Sequence, residues 1–87
     1  MVSQKIVVSN PSGIHARPAS VLVKTTGKCK SDVFIMVGER KIVAKSILNV
    51  MAAAIKCGTE IEVQCDGETE VEDLKEVIAV IESGLGE

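Results

Sequence analysis

The chain has 87 residues, 46% of them hydrophobic, with ten Lys and Arg, twelve Asp and Glu, and a formal net charge of −2. Residues 1–87 are therefore expected to form one small domain, burying about 60% of the surface the unfolded chain exposes. The charge balance and a lone aromatic, Phe34, leave no basic footprint or stacking platform for nucleic acid, and no apolar run approaches the roughly 20 residues that cross a bilayer.

The opening MVSQKIVVSN alternates polar and apolar residues where a secretory leader needs an unbroken apolar stretch, so a cytoplasmic protein is expected. Within it Ile6 and Val8 share a face of a first strand, which ends at the turn residues Asn10, Pro11, Ser12 and Gly13. From Ala16 the spacing becomes helical, with Ala19, Leu22, Val23 and Thr26 on one stripe and Gly27 as a stop. SDVFIMV returns to period two, placing Val33, Ile35 and Val37 together, and a turn at Gly38 and Glu39 makes a hairpin with KIVA. Ser46 is a candidate cap for a helix ILNVMAAAI in which Ile47, Val50, Met51 and Ala54 share a face. EIEVQC is a strand with one wet face, and Asp66 and Gly67 turn the chain. In TEVEDLKEVIAVIESG, Thr69 and Glu72 match a capping box, and Leu74, Val77, Ile78 and Ile81 point inward. Three amphipathic helices interleaved with half-buried strands make an α+β, two-layer sandwich, its helices on one side of a mainly antiparallel sheet.

Cys29, Cys57 and Cys65 form no C-x-x-C pair and are odd in number, so they read as small buried hydrophobes with no metal site and no disulfide. The chain's one histidine is more informative. His15 stands where a glycine-led loop meets a proline-opened helix, and a helix start offers unpaired N–H groups and the positive end of the dipole. Phosphate fits such a place, and the same partial charge favours an uncharged imidazole able to attack phosphorus. Arg17, a planar and permanently charged fork, suits the phosphoryl oxygens. Pro18 gives up only an N–H that has no helical partner, and Gly13 lets the loop bend and leaves room for a donor. A solvated polar pair is the ordinary alternative for a surface His and Arg. No second base, paired carboxylates or Walker loop accompanies them, so an independent enzyme is not expected.

GIHARPAS, together with KSILNVM downstream and the closing GLGE, resembles the HPr family, the histidine-containing phosphocarriers of the bacterial sugar phosphotransferase system. The resemblance implies a βαββαβα fold with sheet order 1-4-2-3 and three helices on one face. It implies that His15 takes phosphate on Nδ1 from phosphorylated enzyme I and passes it to IIA domains of sugar permeases. Arg17 matches the family's phosphate-contacting arginine, with Ser12 and the amides of Ala16 and Arg17 as supporting donors. In Gram-positive relatives the serine matching Ser46 is phosphorylated by an ATP-dependent kinase/phosphorylase, which slows histidine phosphorylation and recruits a catabolite-control transcription regulator. Ile47, Leu48 and Met51 match the family's apolar docking patch, and Ser20, Lys24 and Lys45 could rim it. A monomeric carrier without cofactor, metal, nucleic-acid partner or membrane insertion is expected. Ala54 stands where many relatives have glycine, and GERKIVAKS, with its small Ala44, departs from the usual hairpin before the serine. One rival is a regulatory module of the same fold acting chiefly on a transcription regulator; such relatives lack the histidine. Another is an interaction domain with no phosphate chemistry.

Overall fold

In the computed structural model, which describes residues 1–87, the period-two segments become β1 (Val2–Val7), β2 (Asp32–Val37), β3 (Arg40–Val43) and β4 (Glu60–Asp66). The period-3.6 segments become α1 (Ala16–Gly27), α2 (Ile47–Ala52) and α3 (Glu70–Glu82). The sheet runs β1-β4-β2-β3 with every pairing antiparallel. This is the expected α+β, βαββαβα sandwich in the expected strand order.

Register explains why one face is dry. Gln4 on β1, Val63 on β4 and Ile35 on β2 lie opposite one another, so Ile61, Val63 and Cys65 continue into Val33, Ile35 and Ile42 on the inner face. Against that layer pack Ala19 and Leu22 of α1, Val50 of α2, and Val77, Ile78 and Ile81 of α3. Each large aliphatic removed from water contributes about 1.5–3 kcal/mol. The outer face carries Lys5, Glu62, Met36 and Lys41 across the strands, and the Lys41 ammonium sits 4.1 Å from the Phe34 ring centroid.

Four local expectations need correction. The α2 helix stops at Ala52 instead of reaching Ile55: Ala54 takes φ 51, and Ile55 is drawn into a bridge with Ile14. Long-range pairing there overrides the alanines' helix propensity, and of the face read in α2 only Val50 is buried. The Thr69–Glu72 capping box does not form, because Thr69 Oγ1 donates instead to Asp73 Oδ2 at 2.7 Å. That carboxylate, buried itself, also accepts from the Ser31 amide at 3.0 Å, tying α3 to the start of β2. Hydrogen bonds from Ser31 first, and then from the Thr69 hydroxyl, hold Asp73 below the usual carboxylate range. Finally, Cys57 is exposed, its thiol 3.6 Å from the Ser9 carbonyl, whereas Cys29 and Cys65 are buried and desolvation pushes both thiols up to about 11.

Candidate functional site

The segment before α1 is held by the rest of the fold. Ile14, fully buried, donates its amide to the Ile55 carbonyl at 2.8 Å, and Gly13 donates to Asn10 O at 3.0 Å. Gly13 has φ +68, and a Cβ there would stand 2.3 Å from the Ile55 carbonyl. Its role is close backbone packing; the space expected for an incoming donor is occupied by the backbone of residues 55–57. The chain therefore reaches residue 15 from a fixed point.

His15 is the N-cap of α1, with extended backbone (φ −141, ψ 153), an exposed side chain and no side-chain cap bond. Ala16 follows with φ 45, a left-handed conformation that costs a non-glycine residue about 1–3 kcal/mol. Helix geometry leaves the amides of Ala16 and Arg17 without carbonyl partners inside α1, and Pro18, buried, has no amide to satisfy. Arg17 is exposed beside them, and Ser20 and Lys24 continue its face at helical spacing, also exposed. The result is an accessible imidazole, free N–H groups and a guanidinium at one helix end.

Ser12 lies elsewhere in the network than expected. Its hydroxyl donates to Glu87 Oε2 at 2.5 Å and its amide to Glu87 Oε1 at 3.1 Å. Asn10 Nδ2 donates to the same Oε1 at 3.0 Å. The sequence marks Asn10 only as a turn residue and Glu87 only as part of GLGE, with no site role for either, because partners 75 and 77 positions apart leave no periodic trace.

Ser46 caps α2 as expected, its Oγ accepting from the Asn49 amide at 3.3 Å. After it, Leu48 is 78% exposed and Met51 37%, with Ile47 half-buried. Lys45 is half-buried, and its Nζ donates to the Cys29 carbonyl, just past the end of α1, at 2.9 Å. Arg40 donates to Ala53 O at 3.0 Å and fixes the end of α2 to the hairpin.

Two surface clefts, about 270 and 360 Å³, are lined by residues of the β-hairpin, β1, β4 and α2, and neither includes His15 or Arg17. No group of three or more His, Cys, Asp or Glu side chains could hold a metal, and no helix is long and apolar enough to cross a membrane. The fold is thus an open-faced α+β sandwich that presents an exposed histidine at the start of its first helix. Residues 2–83 match the family described as PTS HPr component phosphorylation site. The chain belongs to the HPr family of phosphocarriers.

It is 48% identical over 67 residues to the phosphocarrier protein HPr of Mycoplasma capricolum, covering 77% of this chain and 75% of that one. The solved structure of HPr-C-His from Thermoanaerobacter tengcongensis superposes with a TM-score of 0.95 at 33% identity, covering 100% of this chain and 98% of that one. A structure of the Bacillus subtilis catabolite repression protein Crh, described as a domain-swapped dimer, gives a TM-score of 0.76 at 37% identity over 97% of each chain.

Proposed function

We propose that this chain, as one domain over residues 1–87, is a phosphoryl carrier of a sugar phosphotransferase system with His15 as acceptor. The observation that carries this is the exposed imidazole at the start of α1, beside the unpaired amides of Ala16 and Arg17 and the Arg17 guanidinium. A ring nitrogen, Nδ1 by family resemblance, attacks phosphorus in line. The new N–P bond forms as the bond to the imidazole of phosphorylated enzyme I breaks, and that imidazole leaves with the electron pair. Arg17 and the amides bind the equatorial oxygens, where charge is spread during transfer. The chain supplies no enclosed pocket, so it acts as a substrate of larger proteins and not as an enzyme in its own right. Ile47, Leu48 and Met51, rimmed by Ser20, Lys24 and Lys45, dock enzyme I and the IIA domains. The carrier works in the cytoplasm as a monomer.

Ser46 adds control. Phosphate on its hydroxyl puts about −1.5 to −2 charges at the edge of the docking patch, which repels acidic partner surfaces. The six-residue α2 is too short for a strong end dipole, so this added charge is the active element. A serine kinase/phosphorylase would write the mark and a catabolite-control regulator would read it. Likeness to Crh supports the second reading, a chiefly regulatory module, dimeric in the manner of that relative; the histidine at position 15 favours the carrier.

Incubation with phosphoenolpyruvate and enzyme I is expected to give an acid-labile, base-stable phosphate that is absent from His15→Ala. Labelling of His15→Ala at the wild-type level would remove the proposed acceptor. ATP with the serine kinase is expected to give an acid-stable label, absent from Ser46→Ala; if wild type takes none, only the cap role remains.

A further inference from the structure

We infer that the free edge of β3, with the basic cleft beside it, is a docking site for an extended acidic segment of a partner protein, taken up as an added strand of the sheet.

The strand order leaves β3 at one edge, bonded only to β2. Ala44 donates its amide to Val33 O at 3.0 Å, and Ile42 lies opposite Ile35, so Arg40, Ile42 and Ala44 turn their backbone groups toward β2. Lys41 and Val43 therefore turn theirs outward. Ser46 N donates to the Val43 carbonyl at 3.2 Å, as that direction requires. The Val43 amide and both backbone groups of Lys41 remain without a partner in the fold. An extended peptide laid along the edge would meet all of them, the geometry of β-augmentation.

Beside this edge the cleft of about 360 Å³ opens between β3 and α2, lined by Arg40, Lys41, Ile42, Asn49, Ala52 and Ala53. Its charge has one sign. The stretch from Arg40 to Thr59 holds Arg40, Lys41, Lys45 and Lys56 and no acidic residue. The ion pairs of the fold are those of the N-terminal amine with Asp66 and Glu70, so neither Arg40 nor Lys41 has a carboxylate partner. Arg40 spends one bond on Ala53 O at 3.0 Å, which holds its guanidinium against the end of α2, while Lys41 stands over Phe34 on the outer face.

These two cations select the occupant. They lie on opposite faces of the strand, and consecutive residues of an added strand also point to opposite faces, so two adjacent acidic residues would meet one cation each. A second copy of β3 pairing here would set Arg40 and Lys41 against like charges, and a lysine on an edge strand is a common guard against such self-pairing. An acidic strand meets no such barrier. The other cleft mixes Lys5 with Glu60 and Glu62 and offers no comparable preference. The β3 site includes none of His15, Arg17 and Leu48, so it is separate from the acceptor and from the apolar docking patch.

The test uses the full chain and an acetylated, amidated peptide centred on Val-Glu-Glu-Val, at low salt. Binding is expected to protect the Lys41 and Val43 amides from hydrogen exchange. The same peptide with Gln for both Glu is expected to bind about tenfold more weakly, and Lys41→Glu to weaken the Glu peptide by about the same factor. Val43→Pro removes an outward N–H and no ladder bond, a change that edge strands accept, so it is expected to stay folded and to lose most of the binding. Equal affinity for the Glu and Gln peptides, undiminished binding by folded Val43→Pro, or binding that leaves both amides unprotected overturns the proposal. Protection of the same amides without peptide, growing with protein concentration, overturns it in favour of a second copy as occupant. If Val43→Pro does not fold, the exchange measurement on wild type decides.

Discussion

The starts of α1 and α2 share an extended backbone at the N-cap and differ in what the cap residue does. Ser46 has an extended backbone (φ −103, ψ 114) and closes its helix with a hydrogen bond to the Asn49 amide. His15 has an extended backbone too, but gives its helix no side-chain bond, and the next residue is left-handed. The first arrangement gains the roughly 1 kcal/mol a serine cap contributes; the second forgoes it and adds a strain of about 1–3 kcal/mol. Stability sacrificed at one helix end leaves N–H groups, imidazole and guanidinium free, as the proposed carrier role requires. The fold tolerates the sacrifice because Ile14, Asn10 and Glu87 hold the approach loop from outside.

The sharpest way to break this contrast is to alter the proposed phosphate-binding side of α1. Arg17→Lys keeps one charge and loses the two-point fork, so transfer to His15 is expected to fall roughly ten- to hundredfold with unfolding unchanged. Rapid-quench transfer from phosphorylated enzyme I measures it; a loss below threefold would mean that Arg17 acts only as a general positive charge.

The third helix start extends the comparison to stability. At α3 the hydroxyl of Thr69 serves the buried Asp73 instead of the backbone. Asp73→Ala strands the Ser31 amide and is expected to cost about 2 kcal/mol in urea unfolding. The carboxyl is held below its ordinary value of 3.8, so its contribution is fully present above that value and fades as pH falls through the lower folded-state value. Wild type should lose its advantage over Asp73→Ala in strong acid, and a constant gap across pH 2–6 would show that the charge is irrelevant.

How far these differences could be read in advance depends on range. Alternation in EIEVQC and the 3.6-residue spacing of the α1 and α3 segments gave the elements, since each strand or helix face is a local pattern answering one shared core. The serine cap was equally local. Strand order is not encoded by periodicity and came from family resemblance alone. What failed was set by distant partners: Ile55 leaves a helix-favouring run to bridge Ile14, and Thr69 abandons its capping box for Asp73. At the candidate site His15, Arg17 and Pro18 were legible because they are neighbours in a helix-start signature. Asn10 and Glu87 were not, since the bonds joining them span the whole chain.

Removing the cap itself gives a smaller effect. Ser46→Ala is expected to cost about 1 kcal/mol in thermal or urea unfolding, with His15 phosphorylation by enzyme I within twofold of wild type. A large loss of transfer in this variant would instead place the Ser46 hydroxyl in partner docking.

The smallest effect tests the strain directly, and its sign decides the comparison. At φ 45 an alanine methyl is in a poor region that glycine occupies freely, so Ala16→Gly relieves the native state. Glycine also gives the unfolded chain more freedom, an opposing term of up to about 1 kcal/mol. The net expectation is a gain of about 0.5–1 kcal/mol in urea unfolding, because the relief exceeds the entropy term at a left-handed position. If Ala16→Gly is destabilised as an ordinary helical alanine would be, by about 1 kcal/mol, the residue is not strained in solution. The start of α1 would then differ from that of α2 only in its missing cap.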